Sequence, residues 1–445
     1  MKILCISLGC DKNLVDTEMM LGLLTRDGYT FTDEEQEADV IVINTCCFIN
    51  DAKEESVNTI LEMAEFKKTG CCKALIVTGC LAERYKQEII DEIPEVDGIL
   101  GTSTYDEIST VLKEVLGGKT VSCFHDLNAL PEMETRRVIT TGGYYAFLKI
   151  AEGCDKRCTY CIIPNLRGNY RSVPIERLIL EAAYLADQGV RELILVAQET
   201  TLYGVDLYGE KSLSKLLKEL CKISGIRWIR IQYCYPEEIT DDLIETIRSE
   251  EKICHYLDLP IQHASDQILK RMGRRTNQLQ LRQTIAKLRT AIPDIALRTT
   301  LISGFPGETE EDHELLMDFV DEMEFERLGV FAYSAEEDTP AAAFPDQIPE
   351  DLKEERRDEI MELQQEISFE KSESMIGRVL EVMIEGEVTD EAAYVGRTYM
   401  DAPNVDGFIF IHTDAQWMSG DFVRVKVTGA LEYDLIGEIY DEHTQ

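Results

Sequence analysis

Apolar and polar positions follow two successive rhythms along this chain. Near the N-terminus, three short β-branched runs at 2–9, 38–45 and 73–79 read as strands covered on both faces of a parallel sheet. Stretches with helical spacing, 15–26 and 51–67, lie between them. Strands alternating with helices predict an open α/β sheet, and ligands of such sheets sit beyond the carboxyl ends of the strands. Cys10, Cys46 and Cys80 each stand at the end of one of these runs.

A second alternation begins after a stretch with few periodic features, bounded by Gly117-Gly118 and Gly142-Gly143. Strands are predicted at 145–150, 192–197, 228–232, 256–259, 296–302 and 327–331, with helices at 174–188, 213–223, 241–250, 278–291 and 310–322. Six such units imply a curved or partly closed parallel barrel, with its site at the carboxyl ends of the strands. Residues 349–373 are highly charged with helical spacing. The chain then turns to short strands at 379–384, 407–411 and 423–427, the pattern of a small antiparallel β-barrel. The predicted fold is α/β throughout its larger parts. It comprises an N-terminal open parallel sheet domain (1–120), a linker (121–139), a partial (βα)6 barrel (140–372) and the small β-barrel (373–441).

Charge changes what these parts are expected to meet. The 45 basic and 84 acidic residues give a net charge of −39. Residues 1–120 carry 11 basic and 23 acidic side chains, 121–372 carry 30 and 46, and 373–445 carry 4 and 15. No domain offers the basic footprint of a nucleic-acid binder, so strong nucleic-acid binding is not expected. A basic protein partner would be drawn to such a surface, although solubility alone is the plainer account. No apolar run reaches the length of about 18 residues that suggests a membrane span. The apolar N-terminus soon meets Asp11 and Lys12 and reads as a strand rather than a secretory signal, so a cytoplasmic protein is expected. The 14 cysteines are too dispersed for a disulfide framework and suit metal binding or catalysis.

The densest cysteine feature is CDKRCTYC, with Cys154, Cys158 and Cys161 in the loop after the first predicted barrel strand. Four-iron clusters ordinarily take four thiolates, so three on one short loop leave one iron open to an outside ligand. A zinc site would need a distant fourth residue and more often shows paired CxxC knuckles. This loop, inside a six-fold βα pattern, resembles the radical S-adenosylmethionine superfamily. The resemblance implies that the open iron chelates S-adenosylmethionine, whose one-electron cleavage gives a 5′-deoxyadenosyl radical. Tyr160 stands where the superfamily usually has an aromatic near the adenine. Gly304 and Gly307 follow the strand at 296–302, where glycines permit close backbone approach to a ligand. Gln198, Gln262 and Arg298 lie on or just beyond barrel strands as candidates for lining the cavity. His263 reads as structural.

Alone, Cys10, Cys46 and Cys80 suit either a shared metal site or three ordinary buried thiols. Beside a radical cluster loop they resemble the methylthiotransferases, which carry a second three-cysteine cluster here and end in a TRAM-like barrel. The other eight cysteines read as packing residues, although Cys47 adjoins Cys46 and competes as a ligand. The resemblance implies two [4Fe-4S] clusters, S-adenosylmethionine used twice, and an electron donor such as flavodoxin or ferredoxin. Two branches of the family differ in substrate: one modifies a tRNA adenosine, the other an aspartate of ribosomal protein uS12. The run LGCDKNLVD (8–16) looks like the ribosomal-protein branch, as do NTC at 44–46 and YLDLPIQHAS at 256–265. The tRNA enzymes that act on isopentenylated adenosine typically have Gln-Met-Asn after their first cysteine, where this chain has Asp11, Lys12 and Asn13. Cys47 replaces a usual glycine, Gln232 a usual histidine and Cys234 a usual valine, which leaves the role of that barrel strand open. Competing readings are a tRNA adenosine methylthiotransferase, an iron–sulfur electron carrier, and a radical methyltransferase without sulfur insertion.

Overall fold

The computed structural model describes residues 1–131, 136–389 and 392–440; residues 132–135 of the expected linker and residue 441 lie outside this set. The N-terminal runs form β1 (Lys2–Ser7), β2 (Thr30–Phe31), β3 (Val40–Thr45), β4 (Ala74–Gly79), β5 (Gly98–Leu100) and β6 (Val121–Cys123). They make one six-stranded parallel sheet in the order β2-β1-β3-β4-β5-β6. Every residue of β3 and β4 is buried, as a sheet sandwiched between helices requires. β2, β5 and β6 span only two or three residues and leave no rhythm to read. β6 falls in the stretch expected to be linker. The register positions the cysteines: Ser7 lies opposite Asn44 and Asn44 opposite Thr78. Three central strands therefore end level, and Cys10, Cys46 and Cys80 leave the sheet side by side.

The second alternation gives β7 (Tyr145–Lys149), a small hairpin of β8 (Ala151–Glu152) with β9 (Arg171–Ser172), then β10 (Glu192–Val196), β11 (Trp228–Ile231), β12 (Ile253–Asp258), β13 (Ala296–Ser303) and β14 (Arg327–Ala332). Six of them form an open parallel sheet in the order β14-β13-β12-β11-β10-β7. One face packs Leu148, Leu193, Leu195, Ile229 and Leu257 against the helices. On the other face, Tyr145, Phe147, Ile194 and Val196 join Val15, Met19 and Leu24 of the N-terminal helix Asp11–Arg26. The N-terminal domain thus covers part of the sheet's inner face. The charged helix Glu350–Ser374 packs on β13 and β14, burying Ile360 and Ile367, and its Gln364 donates to the Phe325 carbonyl at 2.9 Å.

The C-terminal segment closes into a barrel of β15 (Val379–Glu387), β16 (Ala393–Thr398), β17 (Ile409–His412), β18 (Phe422–Ala430) and β19 (Leu435–Ile439), in the order β15-β16-β17-β19-β18. Sequence alone suggested an antiparallel barrel, but β17 and β19 run parallel. A closed ring with an odd number of strands cannot alternate direction throughout, so one parallel pair is unavoidable. This barrel caps the amino ends of the central sheet. Glu192, the first residue of β10, is fully buried between Arg230 and Arg397, each at 2.7 Å. Trp228, Tyr256 and Ala296 share one apolar cluster with Val382, Ile384 and Ile409 of the small barrel.

Candidate functional site

Two glycines and one asparagine shape the first cysteine group. Gly9 has φ +85°, and a Cβ on it would lie 2.7 Å from the Cys46 sulfur, so Cys10 and Cys46 are brought together by the missing side chain. Gly79, at φ +90°, turns β4 directly into the helix Cys80–Tyr85, against the Asn44 side chain and Thr45 carbonyl. Asn13 Nδ2 donates to the Leu8 carbonyl at 3.0 Å and the Thr45 carbonyl at 2.9 Å, tying the ends of β1 and β3. The Cys80 sulfur lies 4.0 Å from Asn13 Oδ1. Ser56 Oγ and the Cys46 backbone exchange two hydrogen bonds, at 3.0 and 2.8 Å. Burial pushes the Cys46 and Cys80 thiols up, so only a cationic ligand would hold them as thiolates there. Cys47 is pushed up to about 12 by burial, and it packs in the apolar cluster behind the sheet.

The second group sits on the loop closed by the β8–β9 hairpin. Gly153, at φ +75°, opens it; a Cβ there would meet the Asn169 carbonyl oxygen at 2.1 Å. Arg157, also left-handed at φ +52°, turns the chain between Cys154 and Cys158. The Cys161 N–H donates to the Cys158 carbonyl at 3.0 Å. Thr159 fastens the loop to the barrel: its N–H donates to the Met272 carbonyl at 2.9 Å and its hydroxyl to Arg271 O at 2.8 Å. Burial pushes the Cys154 thiol up to about 12 and also raises that of Cys161. Lys156, between these cysteines, pairs with Glu238 and lies 3.8 Å from Glu199. A single zinc ion needs its ligand atoms within about 2.3 Å of one point. Among the described residues no three His, Cys, Asp or Glu side chains converge in that way. A multi-iron cluster instead spreads its thiolates over separate irons.

Two connections join the groups across the domain junction. Arg167, just after Cys161, is buried at 2% exposure and donates to Asp16 at 2.8 Å, Glu152 at 3.1 Å and Asn13 Oδ1. Lys149 binds the same Asp16 and Glu152. The second is the segment Tyr233 to Tyr235 beyond β11. The Tyr233 hydroxyl donates to Asp11 at 3.2 Å, while the Tyr235 hydroxyl lies 3.7 Å from the Cys158 sulfur. Tyr233 has φ +59°, a left-handed conformation that a bulky side chain seldom adopts. Asp258 holds it there by accepting from its N–H at 3.0 Å. Asn13, Asp16, Arg167 and Tyr233 had no role in the sequence reading. The partners that cross the junction lie more than a hundred residues away, although Asn13 and Asp16 stand inside the run LGCDKNLVD.

The expected cofactor-contacting residues divide. Tyr160 packs edge-on to Phe305 at 6.5 Å beside Cys158, and burial followed by the Cys158 charge pushes its hydroxyl up. Gln198 donates to Glu152 at 3.0 Å, leaving its buried carbonyl oxygen without a partner. The carbonyl oxygens of Gln232 and Gln262 are likewise buried and unpaired. Three orphaned amide oxygens at the carboxyl ends of three successive strands suit a polar ligand in the barrel mouth. Together with the cysteine loop, they fit a cluster carrying S-adenosylmethionine. Gly304 and Gly307 do need positive φ, but the groups pressed against them are Lys353 and Arg271 of the chain itself. Arg298 binds Asp258 at 3.0 Å and Asp406 of the small barrel at 3.3 Å, so it bridges domains. His263 is structural: its Nδ1 accepts from the Ala264 and Ser265 N–H groups, each at 2.9 Å.

Sequence models of known families match each part. The uncharacterized protein family UPF0004 covers residues 2–101, the radical SAM superfamily 148–320 and the TRAM domain 376–439. Among solved structures, the radical S-adenosylmethionine methyltransferase TsrM from Kitasatospora setae shares the fold with a TM-score of 0.56 at 11% identity, over 87% of this chain and 79% of that one. The cobalamin-dependent radical enzyme OxsB aligns with a TM-score of 0.53 at 12% identity, over 81% of this chain and 56% of that one. Fold and cysteine loop together define a radical S-adenosylmethionine enzyme, a class that implies a [4Fe-4S] cluster and S-adenosylmethionine. Relatives narrow the class: the uS12 methylthiotransferase RimO of Lachnoclostridium phytofermentans is 67% identical over 98% of this chain and 99% of its own. Those of Acetivibrio thermocellus and Clostridioides difficile are 51% and 50% identical, over 100% and 99% of this chain and 99% of each relative. The chain belongs to the ribosomal protein uS12 methylthiotransferase RimO family.

Proposed function

We infer that this chain attaches a methylthio group to ribosomal protein uS12, at the β-carbon of an aspartate. The observation carrying this reading is the meeting of two three-cysteine groups at one domain junction, joined by Arg167 and by the segment from Tyr233 to Tyr235. Cys154, Cys158 and Cys161 would hold a [4Fe-4S] cluster, which with S-adenosylmethionine would supply the one-electron chemistry needed to break an unactivated C–H bond. Cys10, Cys46 and Cys80 would hold a second cluster, which would supply the sulfur to be transferred. Gln198 and Gln262 orient the polar groups of S-adenosylmethionine, and Tyr160 borders its site. The buried ion pairs around Arg167 fix the distance between the groups, because sulfur and abstracted hydrogen must belong to one carbon. The N-terminal domain packed on the sheet's inner face keeps water from the reacting atoms.

Charge supports a protein substrate. Residues 373–445 carry 4 basic and 15 acidic side chains, a charge balance that repels phosphates and attracts a basic ribosomal protein. Glu387, Asp414, Glu432 and Glu438 are exposed on this barrel.

Reconstituted protein should hold about eight irons per chain, and alanine at either cysteine group should leave about four. Mass spectrometry of uS12 and tRNA from cells lacking the chain tests the substrate. Loss of the uS12 methylthio group is expected; loss from tRNA, with uS12 still modified, would overturn the assignment.

A further inference from the structure

Lys12 is a buried cation without a direct ion pair among the described residues; Asp11, which accepts from the Tyr233 hydroxyl, and Cys10 act on its charge without pairing with it. It is 6% exposed, and its ammonium lies 3.4 Å from the centroid of the Tyr233 ring. Among the described residues no carboxylate lies within 4.0 Å of it. The neighbouring cations are all engaged. Arg167 and Lys149 share Asp16 and Glu152, Lys156 has Glu238, and Arg298 has Asp258 and Asp406. A lysine is seldom buried unless paired. An aromatic face steadies an ammonium without neutralising it, so the charge remains available to an incoming anion.

Its position is as informative as its charge. Lys12 follows Cys10 by two residues, and the tyrosine beneath it precedes Tyr235, which reaches Cys158, by two. The ammonium therefore stands where both cysteine groups meet. In an aspartate the β-carbon is one bond from the carboxylate carbon, so a cation holding the carboxylate there places that carbon between the groups.

We propose that Lys12 receives the carboxylate of the target aspartate and thereby selects and positions the substrate; this rests on the methylthiotransferase reading above. Tyr233, held left-handed by Asp258, serves as the platform that keeps the ammonium in place.

The test uses reconstituted full-length protein and two forms of purified uS12, one natural and one with its target aspartate changed to asparagine. Binding is read by titration calorimetry, with iron content as the control for loading. The unaltered enzyme should prefer the natural form by about tenfold or more, the value of a hydrogen bond between charged groups. Lys12→Met should bring the two forms near parity, and Lys12→Arg should keep part of the preference. A full preference surviving in Lys12→Met overturns the proposal, as does parity in the unaltered enzyme, which reads the result without any variant. A role limited to balancing the charge of Cys10 would leave the preference untouched. Methylthiolation of uS12 by the unaltered enzyme is scored separately, so failure of the wider reading is distinguishable from failure at Lys12.

Discussion

At the scale of single residues, the junction is held by charges that lose their meaning when one is removed. Arg167→Met should destabilise the metal-free protein by about 3–5 kcal/mol, because Asp16 and Glu152 would keep only Lys149 for two buried carboxylates. Urea unfolding of the two proteins measures this. Glu199 gives a pH signature: burial raises its carboxyl to about 7, against the lowering influence of Thr201 and Lys156. A folded state that holds its proton more tightly than the unfolded chain loses stability as pH climbs from the unfolded value through the folded one. Between pH 4.5 and about 7 the metal-free protein should therefore lose a contribution that Glu199→Gln does not lose. Midpoints at pH 5 and 8 that move alike in both proteins would refute it. Cysteines at strand ends were legible in the sequence because type and position coincide. Arg167 was not, since a lone arginine after a cysteine loop says nothing of a carboxylate 151 residues earlier.

At the scale of elements, glycines fix where the cysteines can go. Gly9→Ala would force a left-handed alanine against the Cys46 sulfur and should cost the N-terminal group its cluster, lowering iron from about eight to about four per chain. Retention of all the iron would show that Cys46 can shift aside. The long strands announced themselves through apolar runs, which is why both parallel sheets were visible in outline. β16 and β19 were not, because Gly396, Arg397 and Gly437 occupy buried positions where the rhythm calls for large apolar residues. The glycines at 304 and 307 take positive φ, and sequence alone does not distinguish a ligand from the Lys353 and Arg271 side chains that press on them.

At the scale of the whole molecule, the small barrel is bolted to the central sheet through Glu192. Glu192→Ala leaves Arg230 and the barrel's Arg397 buried without their shared carboxylate. A loss of about 3–5 kcal/mol is expected, with earlier proteolytic release of residues 377–440. Replacing Glu387, Asp414, Glu432 and Glu438 by lysine should weaken uS12 binding at low salt and flatten its salt dependence. An unchanged affinity would mean that the barrel is not the docking surface. Three domains in sequence were legible from changes of rhythm. Which end of the sheet each one covers was not, since buried interdomain pairs such as Arg298 with Asp406 leave no local trace.

The hairpin of β8 and β9 bears on how far damage at the cysteine loop can spread. Its pairing of Ala151 with Ser172 closes the loop by main-chain hydrogen bonds, so the thiols are not alone in meeting the entropic cost of closure. Exchange of one cysteine for serine therefore leaves the ends of the loop joined, and the lesion stays local to the cluster site instead of travelling into the sheet.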